Sequence, residues 1–328
     1  MDWTGILVEA SRAAIGVPAA AYALSAVGLN VQFGYAGLLN FGHVAFMLVG
    51  AYGMAITVDQ GGPLWLGIII GLVLALVLAG LIGIPTLRLR ADYLAIVTIA
   101  VGEILRLLVR SRLAAPLTKG IFGIQRFANG FFELNPLPEG RYGIGTLRFD
   151  QRTAWVVLVG WTLVVLVTLL VRKLVKSPWG RVIKAIRDDE DAVRSLGKNV
   201  FFYKIQSLMV GGVIGALAGA YLAIDQQNVG PDTYVPLLTF YAFTIVIIGG
   251  PGTIWGPVLG SIVFWFLFEF LGAFMTQALL NGWFGDAVSG TDIGPMRFML
   301  FGIGLMWLMA YRPQGLFGSR EELLIDGR

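Results

Sequence analysis

Polar side chains that could do chemistry are few, and four of them lie in one short apolar stretch. Asn30, Gln32, Asn40 and His43 fall within about a dozen positions of otherwise apolar sequence. Polar groups at membrane depth are costly unless paired, and they often mark the path of a transported molecule. Small polar side chains also hydrogen-bond between neighbouring helices. We predict a substrate path lined by all four residues, with Gln32 and Asn40 as the first candidates and helix packing as the alternative for each.

Several kinds of chemistry are excluded by what the sequence lacks. It has no cysteine and one histidine, which excludes disulfides, thiolate catalysis and multi-histidine metal centres. It also has no Gly-x-x-x-x-Gly-Lys-Ser/Thr loop, so the chain does not bind ATP through such a loop. No Ser/His/Asp set or pair of carboxylates suggests an active site. We therefore expect no catalytic residue, no metal and no cofactor, in a chain that is not an enzyme.

The composition is typical of a membrane protein. Of the 328 residues, 57% are hydrophobic and 13% are charged, whereas soluble domains carry roughly 25% charged residues. The 44 glycines permit close helix packing and broken helices in a membrane. The net charge of +4 is modest and predicts basic cytoplasmic loops, and we expect no nucleic-acid partner.

Apolar stretches predict an all-α polytopic protein with about eight to ten transmembrane segments in a single domain over 1–328. A spanning helix needs about 20 mostly apolar residues. The predicted spans are roughly 12–29, 41–58, 64–83, 93–109, 154–171, 204–224, 236–249, 254–271 and 296–311. The segment 30–40 is too short to span and predicts a broken or re-entrant piece. The N-terminus does not resemble a cleaved signal peptide, so we interpret the first apolar run as a retained span.

Charge predicts the orientation of the loops. The loop 172–203 carries eight basic residues, which indicates the cytoplasm. Counting helices from it places the turn at 249–256 inside and the long loop 110–152 outside. The same count suggests two parallel repeat halves, 41–171 and 204–311.

The segment 177–199 predicts a short amphipathic cytoplasmic helix. Its apolar side chains have the spacing of one helix face, with charged residues around them. These apolar residues are Val182, Ile186, Val193 and Leu196. Gly197 provides a stop. From periodicity alone, a helix on the inner leaflet and a helix docked in a partner's groove are equally supported.

Four segments resemble the LivH/LivM family of permease subunits from branched-chain amino acid ABC importers, and LivM more closely, and a fifth, 180–197, resembles the cytoplasmic coupling loop of ABC-importer permeases. They are GLNVQFGYAGLLNFGHVAFMLVGAY (28–52), LRLRADYLAIVTIAVGEILR (87–106), GRVIKAIRDDEDAVRSLG (180–197), IGGPGTIWGPVLGS (248–261) and YRPQGLFG (311–318). Within the third, Glu190, Ala192 and Gly197 match a loose form of the coupling-loop pattern. The loop 110–152 departs from the family, because it has LTKGIFGI where a Thr-Gly-Gly-Pro-Asn-Gly run is usual.

The resemblance implies a multi-pass permease in a bacterial inner membrane. Its expected partners are a second, homologous permease in a heterodimer, two cytoplasmic ATPase subunits, and an external binding protein that delivers branched-chain amino acids. The expected ATPase-coupling residues are Val182, Ile186, Glu190, Ala192, Val193, Leu196 and Gly197. The alternatives are a permease for urea, a nucleoside or a sugar, and a secondary transporter or channel.

Charged residues elsewhere suggest two further roles. Glu103 and Arg106 are three apart on one helix face, so we expect a local ion pair. Asp225, Asp232 and Arg297 are expected on the outer surface, where a binding protein would land.

Overall fold

The computed structural model describes residues 2–87, 91–283 and 289–318, and most of them are helical. The α-helices are α1 (Trp3–Ile15), α2 (Val17–Asn30), α3 (His43–Asp59), α4 (Leu64–Thr86), α5 (Ala91–Arg110), α6 (Ala115–Thr118), α7 (Asn129–Glu133), α8 (Gln151–Lys176), α9 (Pro178–Asp188), α10 (Glu190–Ser195), α11 (Val200–Gln226), α12 (Leu237–Gly249), α13 (Gly256–Leu280) and α14 (Ile293–Tyr311). A π-helical turn, Val31–Tyr35, continues α2, and two 3₁₀ turns cover Gly120–Phe122 and Gly290–Asp292.

The extended segments of the described chain are short. They are β1 (Ile124–Gln125), β2 (Arg141–Ile144), β3 (Leu147–Asp150) and β4 (Asn228–Val229). β1 pairs antiparallel with β4, and β2 with β3. The first pairing fixes the long loop 110–152 to the end of α11.

The helices confirm the predicted all-α polytopic class, but fewer of them qualify as full spans. Among the described residues, α4, α8, α11, α13 and the segment Gly290–Tyr311 are long and apolar enough to cross a membrane. The bent pair formed by α1 and α2 gives a sixth. The predicted number of transmembrane segments, eight to ten, is higher than this number. The difference arises because α3 and α12 have only 17 and 13 residues, and because α5 carries charged side chains.

The first predicted span, 12–29, has the wrong start. The helical region begins at Trp3 and is broken at Gly16, where the axis bends by 42° between the two parts. Gly16 has an extended ψ of −177°. Pro18 follows in the first turn of α2, where its missing N–H costs nothing and where its ring stops α1 from continuing.

Glycines bring the central helices α2, α3 and α11 into close contact. A Cβ atom on Gly50 would lie 2.2 Å from the carbonyl oxygen of Ala216, and one on Gly219 would lie 2.0 Å from that of Met47. Real side chains cannot occupy such positions, so only glycine allows these backbones to approach.

The predicted repeat halves are not separate packing units. α11 opens the predicted second half, yet it packs on α2, α3 and α4. α2 contacts α8 as well as α12 and α13, so it joins both halves. The division into parallel halves stays a prediction.

We predict that Gly219→Leu destabilises the protein by about 3 kcal/mol or more, because it overpacks the contact between α3 and α11. Gly302→Leu is the matched control, since a Cβ there meets nothing within 4 Å. Thermal unfolding of the purified chain measures both. Equal melting temperatures for the two variants would contradict the assigned contact.

Candidate functional site

The predicted cytoplasmic helix 177–199 is two helices, α9 and α10. Asp189 separates them with an extended backbone, φ −154° and ψ 104°. Its carboxylate accepts hydrogen bonds from the backbone N–H groups of Asp191 and Ala192, both at 2.9 Å. This is the geometry of a helix N-cap, so Asp189 ends one helix and starts the next.

The apolar side of this helix pair faces the chain itself. Ile186 and Val193 are 4% and 5% exposed and cluster with Val200. Val182 packs against the same cluster. Leu196, by contrast, is 79% exposed. The prediction of one shared face is wrong for Leu196, because the break at Asp189 changes the helical phase and α10 ends before Leu196.

Glu190 and Gly197 fix how α10 joins α11. The carboxylate of Glu190 forms ion pairs with Lys204 of α11 and with Arg194, the latter at 2.8 Å. Gly197 has a φ of +75°, which glycine adopts without strain. Ala192 is exposed, like Leu196. Among the predicted coupling residues, Ala192 and Leu196 therefore have the exposed apolar side chains that a partner could contact directly.

α9 is attached to the broken segment of the membrane domain. The guanidinium Nη1 of Arg187 donates a hydrogen bond to the carbonyl oxygen of Gly34 at 2.6 Å. The ammonium of Lys184 lies 5.5 Å from the centroid of the Tyr35 ring. The sequence pattern does not single out Arg187, because its partner Gly34 lies 153 positions away in the chain.

The broken segment itself is present as predicted. α2 passes into the π-helical turn Val31–Tyr35, and irregular backbone then leads to α3 at His43. Most of the segment is buried. Its peptide groups must therefore find partners within the protein.

Three buried amide side chains, one at the start of the segment and two within it, bind groups of the neighbouring elements and of the segment itself. Asn30 accepts from the N–H of Gly252 at 2.9 Å and donates to the carbonyl of Thr253 at 2.8 Å. Gln32 donates to the carbonyl of Leu208 at 3.1 Å. Asn40 donates to the side-chain oxygen of Gln32 at 2.9 Å. These bonds tie the segment to α11 and to the turn before α13.

The geometry of these amides matches the alternative interpretation, in which polar side chains join helices. Asn30, Gln32 and Asn40 are at most 2% exposed. His43 is completely buried and lies against Gly215 and the ring of Phe46. The predicted role of these four residues in a substrate path stays a prediction.

The segments that carry the family resemblance meet around this point. The N–H of Phe41 donates to the hydroxyl of Thr98 in α5 at 3.1 Å. The N–H of Leu316, near the C-terminus, donates to the carbonyl of Ile248 at 2.8 Å. Together with the contacts of Arg187 and Asn30, these hydrogen bonds connect all five segments. Asn30 and Gly252, for example, are 222 positions apart in the sequence.

Charged residues at the other end of the helices form ion pairs. Arg106 binds Glu103 as predicted, with nitrogen and oxygen 2.5 Å apart, and also Asp232 at 3.0 Å. Arg297 pairs with Glu269 at 3.2 Å. The predicted role of Asp232 and Arg297 as a landing surface for a binding protein stays a prediction.

Asp225, the third predicted surface residue, lines an open cavity of about 560 Å³. Arg12, Arg148 and Asp150 line the same cavity. The hydroxyl of Thr153 donates to the Asp150 carboxylate at 2.6 Å and lowers the pKa of that carboxyl. Asp150 therefore remains ionised in this cavity near neutral pH. The predicted role of Asp225 as part of a landing surface stays a prediction.

Comparison with known proteins identifies the family. The family of branched-chain amino acid transport system permease components matches residues 12–311. The chain belongs to this family. No solved structure matches it.

Relatives of this permease chain include two LivM proteins. It is 30% identical to the high-affinity branched-chain amino acid permease LivM of Escherichia coli K12 over 306 residues, which cover 90% of this chain and 67% of that one. It is 26% identical to the probable LivM of Methanocaldococcus jannaschii, over 91% of each chain. It is also 26% identical to the nucleoside permease NupC of Lactococcus lactis, over 75% of each.

Leucine substitutions at Gln32 and Asn40 distinguish a role of these side chains in helix packing from a role in a substrate path. Either change leaves buried polar groups unpaired, so we expect destabilisation of about 2 kcal/mol, measured by thermal unfolding of the purified chain. Asn281→Leu is the control, since Asn281 is exposed and bonds only within its own turn. Unchanged stability together with lost transport would instead support the substrate path.

Proposed function

We propose that this chain is the membrane-spanning permease subunit of an ATP-driven ABC importer for branched-chain amino acids. The family match over 12–311 is the observation that carries the proposal. The names of the two LivM relatives support the cargo. An external binding protein delivers the amino acid, and the multi-pass chain lies in a bacterial inner membrane.

The proposed assembly contains a second, homologous permease in a heterodimer. Among the described residues, α14 buries none of its side chains. α5 exposes Ile96, Ile104 and Leu108. Many apolar side chains of these two helices are exposed. This exposure supports contact with lipid on one side and with a second permease on another.

Leucine uptake by the purified complex in liposomes tests the proposed cargo. We expect ATP-dependent uptake of leucine, isoleucine and valine in the presence of the binding protein. Uptake of a nucleoside in preference to leucine would overturn the cargo and favour the function named for NupC. Uptake of leucine without ATP would overturn the ABC mechanism.

Energy has to enter this chain through another subunit, because its sequence has no nucleotide-binding loop. We propose that two ATPase subunits bind the exposed side of α9 and α10. The exposed apolar side chains there include Ala185, Ala192 and, just after α10, Leu196. Ile186 and Val193 act indirectly, by holding α9 and α10 against the start of α11.

We predict that Leu196→Asp weakens association with the ATPase subunits, because it puts a charge into a contact that loses its water. Co-purification of the subunits and ATP hydrolysis measure the effect. Leu113→Asp is the control, since Leu113 is 95% exposed and lies in the loop 110–152. Normal co-purification of the Leu196 variant would contradict the docking proposal. The pair α9 and α10 would then be interpreted as helices that lie on the inner leaflet.

The hydrogen bond from Arg187 to Gly34 connects α9 to the π-helical turn, and we propose that it transmits movement between them. A displaced α9 would pull on the turn Val31–Tyr35. That turn is fixed to the start of α13 by Asn30, so movement reaches helices across the membrane domain.

Arg187→Ala should uncouple ATP hydrolysis from transport. Loss of one charge-assisted hydrogen bond, about 1.5 kcal/mol, corresponds to about a tenfold fall in leucine transported per ATP. Arg181→Ala is the matched control, because Arg181 is exposed on the same helix. An unchanged ratio would show that the bond has no part in coupling, and lost subunit association would assign Arg187 to docking.

A further inference from the structure

The inner end of α8 forms an open groove of about 780 Å³ that nothing in the proposed transport mechanism uses. Its apolar part is lined by Leu166, Leu169 and Leu170, and its basic end by Arg172, Lys173 and Lys176. The leucines are exposed, with Leu166 and Leu170 at 57% and 58%. The groove therefore changes from apolar to cationic along the direction of α8.

The three cations share one side of the helix. Positions 172, 173 and 176 fall within an arc of about 100° on an α-helix. None of the three forms an ion pair with another described residue. The sequence has no Asp or Glu between Asp150 and Asp188. Within the described part of the chain, this positive charge has no ion-pair partner.

Trp179 indicates the depth of the groove in the membrane. It lies in the first turn of α9, half-buried, and its indole N–H donates to the side-chain oxygen of Gln206 at 2.9 Å. Tryptophan with a polar partner is typical of the interface between acyl chains and head groups. The leucines then lie at acyl-chain depth, and the three cations lie at the depth of lipid phosphates.

We propose that this groove binds an anionic glycerophospholipid of the inner leaflet. One acyl chain lies along Leu166, Leu169 and Leu170, and the phosphate lies among Arg172, Lys173 and Lys176. A lipid with net negative charge fits best, because a choline head group would bring a fourth cation to the same place. Bound there, the lipid supports the corner where α8 passes into α9.

Native mass spectrometry of the full chain, titrated with phosphatidylglycerol and phosphatidylcholine, tests the proposal. We expect saturable, preferential binding of phosphatidylglycerol. The double variant Arg172→Gln and Lys176→Gln should bind it about 25-fold more weakly, at about fivefold per cation. Lys198→Gln with Arg312→Gln is the matched control, because it also removes one exposed lysine and one exposed arginine.

Two outcomes would overturn the lipid site. Equal affinity of the wild-type chain for the two lipids is the first. An equal loss in both double variants is the second, because it would indicate only the general charge of the inner surface.

A second pair of measurements separates a lipid from a free phosphate compound. Leu166→Gln with Leu170→Gln keeps all three cations but makes the groove polar, so it should weaken binding of phosphatidylglycerol at least severalfold. Glycerol 3-phosphate, which has no acyl chains, should not displace the lipid at equal concentration. Displacement by glycerol 3-phosphate, or unchanged affinity of the leucine double variant, would reject the lipid as the ligand.

Discussion

The irregular backbone between α2 and α3 is mostly buried, and three amide side chains fasten it to neighbouring elements of the permease. Asn30, Gln32 and Asn40 bind backbone and side-chain groups around the break between α2 and α3. An unpaired polar group at that depth costs several kcal/mol. Without these amides the broken segment would lose its hydrogen bonds to α11 and to the turn before α13.

The rest of the architecture follows from keeping this break close to its partners. Glycines such as Gly50 and Gly219 let α3 and α11 approach until their backbones touch. α9 lies beside the π-helical turn and binds it through Arg187. α9 is therefore joined to the broken segment, and the pair α9 and α10 is joined to α11 by Glu190 and by the cluster of Ile186, Val193 and Val200.

The sequence predicts the helices better than it predicts their contacts. Long apolar runs place every predicted span on a helix, because hydropathy is a local property. The break at Gly16 was missed, since the run stays apolar through it. Leu196 was put on the wrong face because one capping residue, Asp189, changes the helical phase. The partners of Asn30 and Arg187 lie far away in sequence, so no local pattern indicates them.

The bond between Asn30 and Thr253 spans 223 positions of the chain, and α1 packs against α13. A ribosome that synthesises the protein from its N-terminus therefore delivers α1 and α2 to the membrane long before their partners exist. Asn30 has to be accommodated by temporary partners until the turn before α13 is made. The final packing of α1 and α2 therefore waits for α13, although α13 is synthesised long after them.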